Sequence, residues 1–253
     1  MFAQERQDKI LKRVNEEGSV RVKELSAYFK VTEDCIRKDL SSMEKKGLLK
    51  KAYGGAVSVR PNPHLFSIEE RMNMPDEERI EIAQKAIKLL KEDEVIYLDT
   101  STTSCEMAKR IALGEKRVQV ITNMVEVLNI LAPYKSIPLV FIGGLINPER
   151  DGFCGSYSVE MLKSFKIDIA FIGVVGVDPV CNSVSTYHID DGIMKATAIA
   201  SSRHSYLLCE NKKLKEDGNF VFGQISDATG IILGSEIKGA DSIALKQIDI
   251  DIL

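Results

Sequence analysis

Between residues 4 and 47 apolar positions recur three times at helical spacing. In "QERQDKILKRVNEEG" they are Ile10, Leu11 and Val14 among charges, with Gly18 as a stop. "VKELSAYF" repeats the pattern with Val22, Leu25 and Phe29. After the short connection "KVT", "TEDCIRKDLSSMEKKG" places Ile36, Leu40, Met43 and Gly47 on one side of a third helix. Thr32 is the expected N-cap, Glu33 and Asp34 occupy the first turn where the helix dipole favours acids, and Gly47 closes the segment. Three helices with a tight turn between the second and third give a helix-turn-helix order. "GLLKKAYGGAVSV" then reads as strand, Gly54-Gly55 turn, strand: a hairpin appended as a wing.

From about residue 75 the pattern alternates. "EERIEIAQKAIKLLK", "SCEMAKRIAL", "MVEVLNILAPY", "SVEMLKSF" and "DDGIMKATAIASS" have helical spacing. Between them lie the short apolar runs "EVIYLD", "VQVITN", "IPLVFIGG", "IDIAFIGVVGV", "SYLLCE" and "GIILGS". Such alternation predicts an open, mostly parallel α/β sheet that receives ligands at the carboxyl ends of its strands. The fold class is therefore α/β, a winged helix-turn-helix (1–57) joined through a proline-bearing linker (58–74) to a larger α/β domain (75–253). His64, in that linker, is a lone histidine with no partner pattern around it.

Composition alters the picture in one respect. The chain has 253 residues, 44% hydrophobic and 28% charged, as an ordinary globular protein does. No apolar run approaches the roughly 20 residues needed to cross a bilayer, and "MFAQERQDKI" is charged where a signal peptide is apolar, so a cytoplasmic protein with no membrane partner is expected. Five scattered cysteines imply free thiols, and no spacing implies a metal or other cofactor. Charge, however, is segregated. Residues 1–57 carry thirteen Lys and Arg against nine Asp and Glu, a net of +4, which leaves −7 for the remainder of a chain of formal charge −3. A basic head on an acidic body predicts that only the head meets a polyanion.

On the third helix, Asp34, Lys38, Ser41 and Lys45 lie opposite the apolar stripe, flanked by Cys35, Arg37 and Ser42. Short polar and basic side chains of this kind suit the major groove, where Lys and Arg reach phosphates or guanine edges and Asp accepts from cytosine N4. The wing adds Lys50, Lys51 and Tyr53. A plain solvated helix surface is the competing interpretation, because Glu33/Arg37 and Asp34/Lys38 are acid-before-base pairs at i, i+4.

In the body, "YLDTSTTSCEMA" puts Asp99, Thr100, Ser101, Thr102 and Thr103 between a buried strand and a helix start, where free N–H groups and hydroxyls offer a phosphate cradle; plain Ser and Thr helix caps are the competing interpretation. Thr122-Asn123, Gly143-Gly144 and Gly173 to Gly176 end the next strands with small or polar residues, as a shared cleft requires. Lys195 adds a cation, read either as a mobile phosphate ligand or as a surface lysine, and Arg150 offers another anion contact.

The head resembles the winged helix-turn-helix of the DeoR family of bacterial sugar-metabolism regulators. The residues that carry the likeness are Ile36-Arg37-Lys38-Asp39-Leu40, Gly47-Leu48-Leu49 and Tyr53-Gly54-Gly55-Ala56, with Cys35 where Thr or Ser is usual. The body is similar to that family's sensor domain, related in fold to ribose-5-phosphate isomerase and CoA-transferase-like proteins. Its D-x-G-T-T, T-N, I-G-G and G-x-x-G-[IV]-D elements correspond to Asp99–Thr103, Thr122-Asn123, Ile142–Gly144 and Gly173–Asp178, and a later E-x-x-x-K corresponds at Lys195; Ser101 replaces the usual loop glycine, and Val175 a commonly polar residue. The resemblance implies a sequence-specific repressor of a carbohydrate operon, bound to double-stranded operator DNA as a homo-oligomer (dimer or tetramer) and controlled by a phosphorylated sugar or polyol. The alternative is a sugar-phosphate isomerase-like enzyme carrying an accessory DNA-binding head, with Asp99, Asp178, Asp190 or Asp191 as base.

Overall fold

The computed structural model describes residues 3–17, 19–58, 71–72, 76–114, 116–148, 150–237 and 239–253. Gly18, His64 and the two prolines of the linker, Pro61 and Pro63, lie outside the described residues, as does Pro75. The chain forms two compact units, Met1–Leu65 and Phe66–Leu253.

The first unit has three helices, α1 (Ala3–Glu17), α2 (Val22–Phe29) and α3 (Glu33–Lys45), and three short strands, β1 (Ser19–Arg21), β2 (Leu49–Ala52) and β3 (Gly55–Ser58). Ile10, Val14, Leu25, Ile36, Leu40 and Met43 are buried together, which is the stripe the periodicity predicts. Lys30 ends α2 in the left-handed conformation (φ 53°), and Thr32 accepts the Cys35 N–H at 3.3 Å to start α3. Gly47 (φ 71°) ends α3 in a Schellman arrangement: Leu48 N–H donates to Met43 and Gly47 N–H to Glu44. The hairpin turn is Tyr53-Gly54 rather than Gly54-Gly55. Gly54 supplies the positive φ of 79°, while Gly55 already pairs with Ala52 and with Arg21 of β1. A Cβ on Gly55 would stand 1.9 Å from the Val20 carbonyl oxygen, so strand β1, which the sequence pattern did not announce, is what requires the second glycine.

The second unit is built on seven parallel strands in the order β15-β14-β12-β9-β4-β5-β6. Their spans are β4 (Val95–Leu98), β5 (Gln119–Thr122), β6 (Leu139–Phe141), β9 (Ile167–Gly173), β12 (Ser202–Cys209), β14 (Gly230–Leu233) and β15 (Asp251–Ile252). Alternate residues point to opposite faces, as a strand's period of two requires. Ile96, Leu98, Val120, Phe171 and Leu208 pack beneath α4 (Glu77–Leu89), α5 (Thr102–Ala112) and α6 (Val125–Leu131). Tyr97, Ile121, Ala170, Ile172 and Leu207 face α7 (Ser156–Lys163), α8 (Ile189–Ala200) and α9 (Ala240–Leu245). An antiparallel ribbon, β7 (Leu145–Ile146) with β8 (Phe153–Cys154), and a second antiparallel sheet, β10 (Gly176–Asp178), β11 (Ser183–Thr186) and β13 (Phe220–Gln224), complete the unit. "IDIAFIGVVGV" is therefore two strands broken after Gly173. From β4 the chain proceeds outward through β5 and β6 on one side and through β9, β12 and β14 on the other. The β4/β9 boundary is thus a topological switch point, where loops diverge to opposite faces, the place at which open α/β sheets receive ligands.

Candidate DNA-reading surface and effector cleft

On α3 the exposed residues are Glu33, Asp34, Arg37, Lys38, Glu44 and Lys45, with Cys35, Ser41 and Ser42 half-buried. Arg37 is held by Glu33 at 2.9 Å and lies 3.8 Å from Asp34, so part of this face is the solvated ion-pair surface of the competing interpretation. Lys51 of the wing donates through Nζ to Ser41 Oγ at 2.9 Å and through its backbone N–H to Glu44 at 2.8 Å, which binds β2 to α3. Tyr53 is fully exposed at the wing tip. Behind α3, Asp39 is buried and accepts from Arg6 Nε at 2.6 Å, Arg6 Nη2 at 3.3 Å and Gln7 Nε2 at 3.2 Å. Those hydrogen bonds raise the Arg6 pKa above its ordinary value. One acid of the Ile36–Leu40 motif is thereby a brace that fixes the rotation of α3 against α1.

At the switch point Asp99 ends β4 with no exposed surface. Its Oδ2 accepts from the Gly173 N–H at 2.9 Å and pairs with Lys195 Nζ. Lys195 lies on α8, 3% exposed, and is 3.3 Å from Asp191 one turn earlier. It is neither a mobile ligand nor a surface lysine. Asp191 in turn accepts from Thr100 Oγ1 at 3.0 Å and Thr186 Oγ1 at 2.7 Å. Burial raises the Asp99 pKa, Lys195 pulls it partly back, and Asp191 raises it again. Burial depresses Lys195, but the carboxylates of Asp191 and Asp99 outweigh this and hold it as a cation above its usual range. Tyr97 is pushed up in the same way, by burial and then by Asp99 and Asp191.

The loop after β4 caps α5 through Ser101, whose Oγ accepts the Ser104 N–H at 3.1 Å and lies 2.8 Å from Ser104 Oγ. A Cβ on Gly173 would fall 2.4 Å from that of Ser101. Thr102 and Thr103 are buried in the first turn. Asn123 is a buried brace, accepting from Tyr97 Oη at 2.8 Å and donating to the Phe153 carbonyl at 2.8 Å. Gly143 borders open space, its carbonyl accepting from Ser158; Gly144 (φ 153°) has no room for a Cβ, 2.1 Å from Ser158 Oγ; Arg150 is exposed at φ 59°. Gly176 is apart from this group, against the backbone of Glu216 and Asp217.

Two family models match the chain, the DeoR-like helix-turn-helix domain over residues 6–62 and the DeoR C-terminal sensor domain over 75–235. The protein belongs to the DeoR family. An uncharacterized HTH-type transcriptional regulator of Bacillus subtilis, YulB, is 31% identical over 98% of this chain and 94% of its own length. A lactose phosphotransferase system repressor of Lactococcus lactis is 29% identical over 84% of each chain, and the glycerol-3-phosphate regulon repressor of Haemophilus influenzae 25% identical over 92% and 90%. A ribose 5-phosphate isomerase of Methanocaldococcus jannaschii overlays 54% of this chain and 53% of its own with a TM-score of 0.40 at 21% identity.

This DeoR-family chain is accordingly a helix-turn-helix transcriptional regulator with a small-molecule sensor domain, and not an enzyme. No helix among its described residues is long and apolar enough to cross a membrane. Sequence reasoning placed Asp99 and Lys195 separately and missed their pairing, because the partners are 96 positions apart in the chain. Asp191 was legible as the acid one turn before Lys195. Asp39, an acid inside an apolar stripe, was the available signal for the Arg6 brace.

Proposed function

We propose that this regulator is a cytoplasmic repressor of a carbohydrate-metabolism operon that acts as a dimer or tetramer and is released by a phosphorylated sugar or polyol. The DNA-binding residues are Asp34, Cys35, Arg37, Lys38, Ser41, Lys45, Lys51 and Tyr53, and the domain limits are 1–57, 58–74 and 75–253. The observation that carries the DNA reading is the Lys51–Ser41 hydrogen bond, which makes helix and wing one basic surface presenting Lys38 and Lys45 to solvent. Duplex phosphates neutralise such a surface with release of counterions.

The sensor reading rests on the polar cluster at the β4/β9 switch point. Lys195 is flanked by the carboxylates of Asp99 and Asp191, a donor between acceptors whose polarity suits sugar hydroxyls better than a phosphate. The phosphate then sits at the first turn of α5, by Ser101–Thr103, with Arg150 as a further cation. The names of the lactose and glycerol-3-phosphate repressors support a carbohydrate effector.

The test is fluorescence anisotropy of the full-length protein on a duplex enriched from a random pool. Log K falls linearly with log salt, and Lys38→Ala or Lys45→Ala each lowers the slope by about 1. A slope unchanged in both variants overturns the assigned surface. A thermal-shift screen of sugar and polyol phosphates tests the sensor, with Thr102→Ala as control.

A further inference from the structure

Outside the groups already assigned, one part-buried ion pair ties the loops at the β4/β9 switch point to the segment that leads back to the DNA-binding unit. Arg71 is six positions beyond Leu65, the last residue of the first unit. Its Nη2 lies 2.6 Å from Asp151 Oδ2, and the two side chains are 15% and 4% exposed. The Arg71 carbonyl accepts from Arg79 Nη1 of α4 at 3.0 Å. Arg71 is thus held at both backbone and side chain, yet its Nε, also buried, has no hydrogen-bond partner among the described residues. A guanidinium with one buried, unsatisfied N–H is the sort of group that a small rearrangement re-pairs.

Asp151 belongs to a tight turn on the β7–β8 ribbon. Its Oδ1 accepts from Asn147 Nδ2 at 2.6 Å, and Asn147 Oδ1 accepts the N–H groups of Asp151 and Gly152. The Asp151 carbonyl accepts from Val125 N–H at 2.9 Å, and Phe153 N–H donates to the Asn123 carbonyl at 2.9 Å. Gly152 presses on the loop after β4, since a Cβ there would stand 2.4 Å from Thr100 Cγ2. The turn therefore touches Thr100 and Asn123 on one side and holds Arg71 on the other. Arg150, next to Asp151, has a left-handed φ of 59°.

We infer that Arg71 and Asp151 are positioning residues that transmit the state of the switch-point cluster to the DNA-binding unit, through the Thr100–Gly152 contact and the Asp151–Arg71 ion pair. This rests on the sensor reading of that cluster. A ligand that seats between Thr100 and Arg150 shifts the turn, the turn carries the Asp151 carboxylate, and the carboxylate carries Arg71.

A double-mutant cycle without any ligand tests the connection, so its outcome is separate from that of the metabolite screen. Full-length wild type, Gly152→Ala, Arg71→Met and the double variant are titrated by anisotropy on the enriched duplex. Gly152→Ala, which forces the turn away from Thr100, is expected to change the DNA Kd by about fivefold in wild type and by less than about twofold in the Arg71→Met background. Adding Thr100→Ser, which removes the offending methyl, restores the wild-type Kd. Equal changes in both backgrounds, or no change in either, overturn the inference. If circular dichroism shows Gly152→Ala unfolded, Arg150→Gly, which relaxes the left-handed residue beside Asp151, takes its place under the same criteria.

Discussion

A single acid shows how much one side chain decides here. Asp39 lies within the stretch by which the head resembles its family, beside the exposed Arg37 and Lys38, yet it points away from solvent and holds Arg6 and Gln7. Removing one partner of a buried ion pair leaves the other uncompensated, whereas replacing both by apolar groups is far less costly. Asp39→Ala is therefore expected to destabilise the first unit by about 3 kcal/mol, and Arg6→Met/Asp39→Leu to recover more than half of that. Urea unfolding of the three proteins checks this, and a single variant as stable as wild type would show that the pair contributes nothing. The polar stripe of α3 could be read from its spacing. The Arg6 contact could be read only by half: an acid inside the apolar stripe signals a buried Asp39, but nothing local identifies its partner 33 positions away.

At the scale of elements, the central strands were legible because a parallel sheet buried on both faces makes each strand a continuous apolar run. Elements that escaped notice are short or lack such a run. β1 has three residues of which only Val20 is buried, β15 has two, and β11, though largely buried, is Ser183-Val184-Ser185-Thr186 and carries no apolar run. The joint between α4 and β12 was equally hidden. Glu210, at the end of β12, is buried and pairs with Lys212 and, at 3.1 Å, with Lys213; Lys212 also reaches Asp76, the N-cap of α4, at 3.2 Å. Burial raises the Glu210 pKa, but Lys213 and Lys212 outweigh it and hold the carboxyl well below its ordinary 4.5. A folded-state pKa below the unfolded one contributes stability that is complete above pH 4.5 and is lost as pH falls through the folded value. Glu210→Gln should consequently flatten the acid limb of stability, by at most about 1.4 kcal/mol per pH unit. Urea midpoints measured from pH 6 down to pH 3 decide the matter: parallel curves for wild type and variant would remove the joint from the account.

For the whole molecule, the basic head and acidic body have different partners, and regulation requires that each alter the other's affinity. A ligand shifts an equilibrium between arrangements only by its difference in affinity for them. Linkage makes the effect reciprocal: whatever factor the effector takes from DNA affinity, DNA must take from effector affinity. A 100-fold factor corresponds to about 2.7 kcal/mol, within the usual range of coupling energies. The metabolite giving the largest thermal shift is expected to bind more weakly to protein saturated with the enriched duplex, by the factor by which it weakens the duplex. Calorimetric Kd values for the metabolite with and without duplex, set beside anisotropy Kd values for the duplex with and without metabolite, measure both factors. Equal factors above about 5 place the sensor domain's ligand in control of the head. A metabolite that binds equally well to both forms is a tenant of the sensor domain without regulatory effect, and the acidic body would then serve the head only by assembling it.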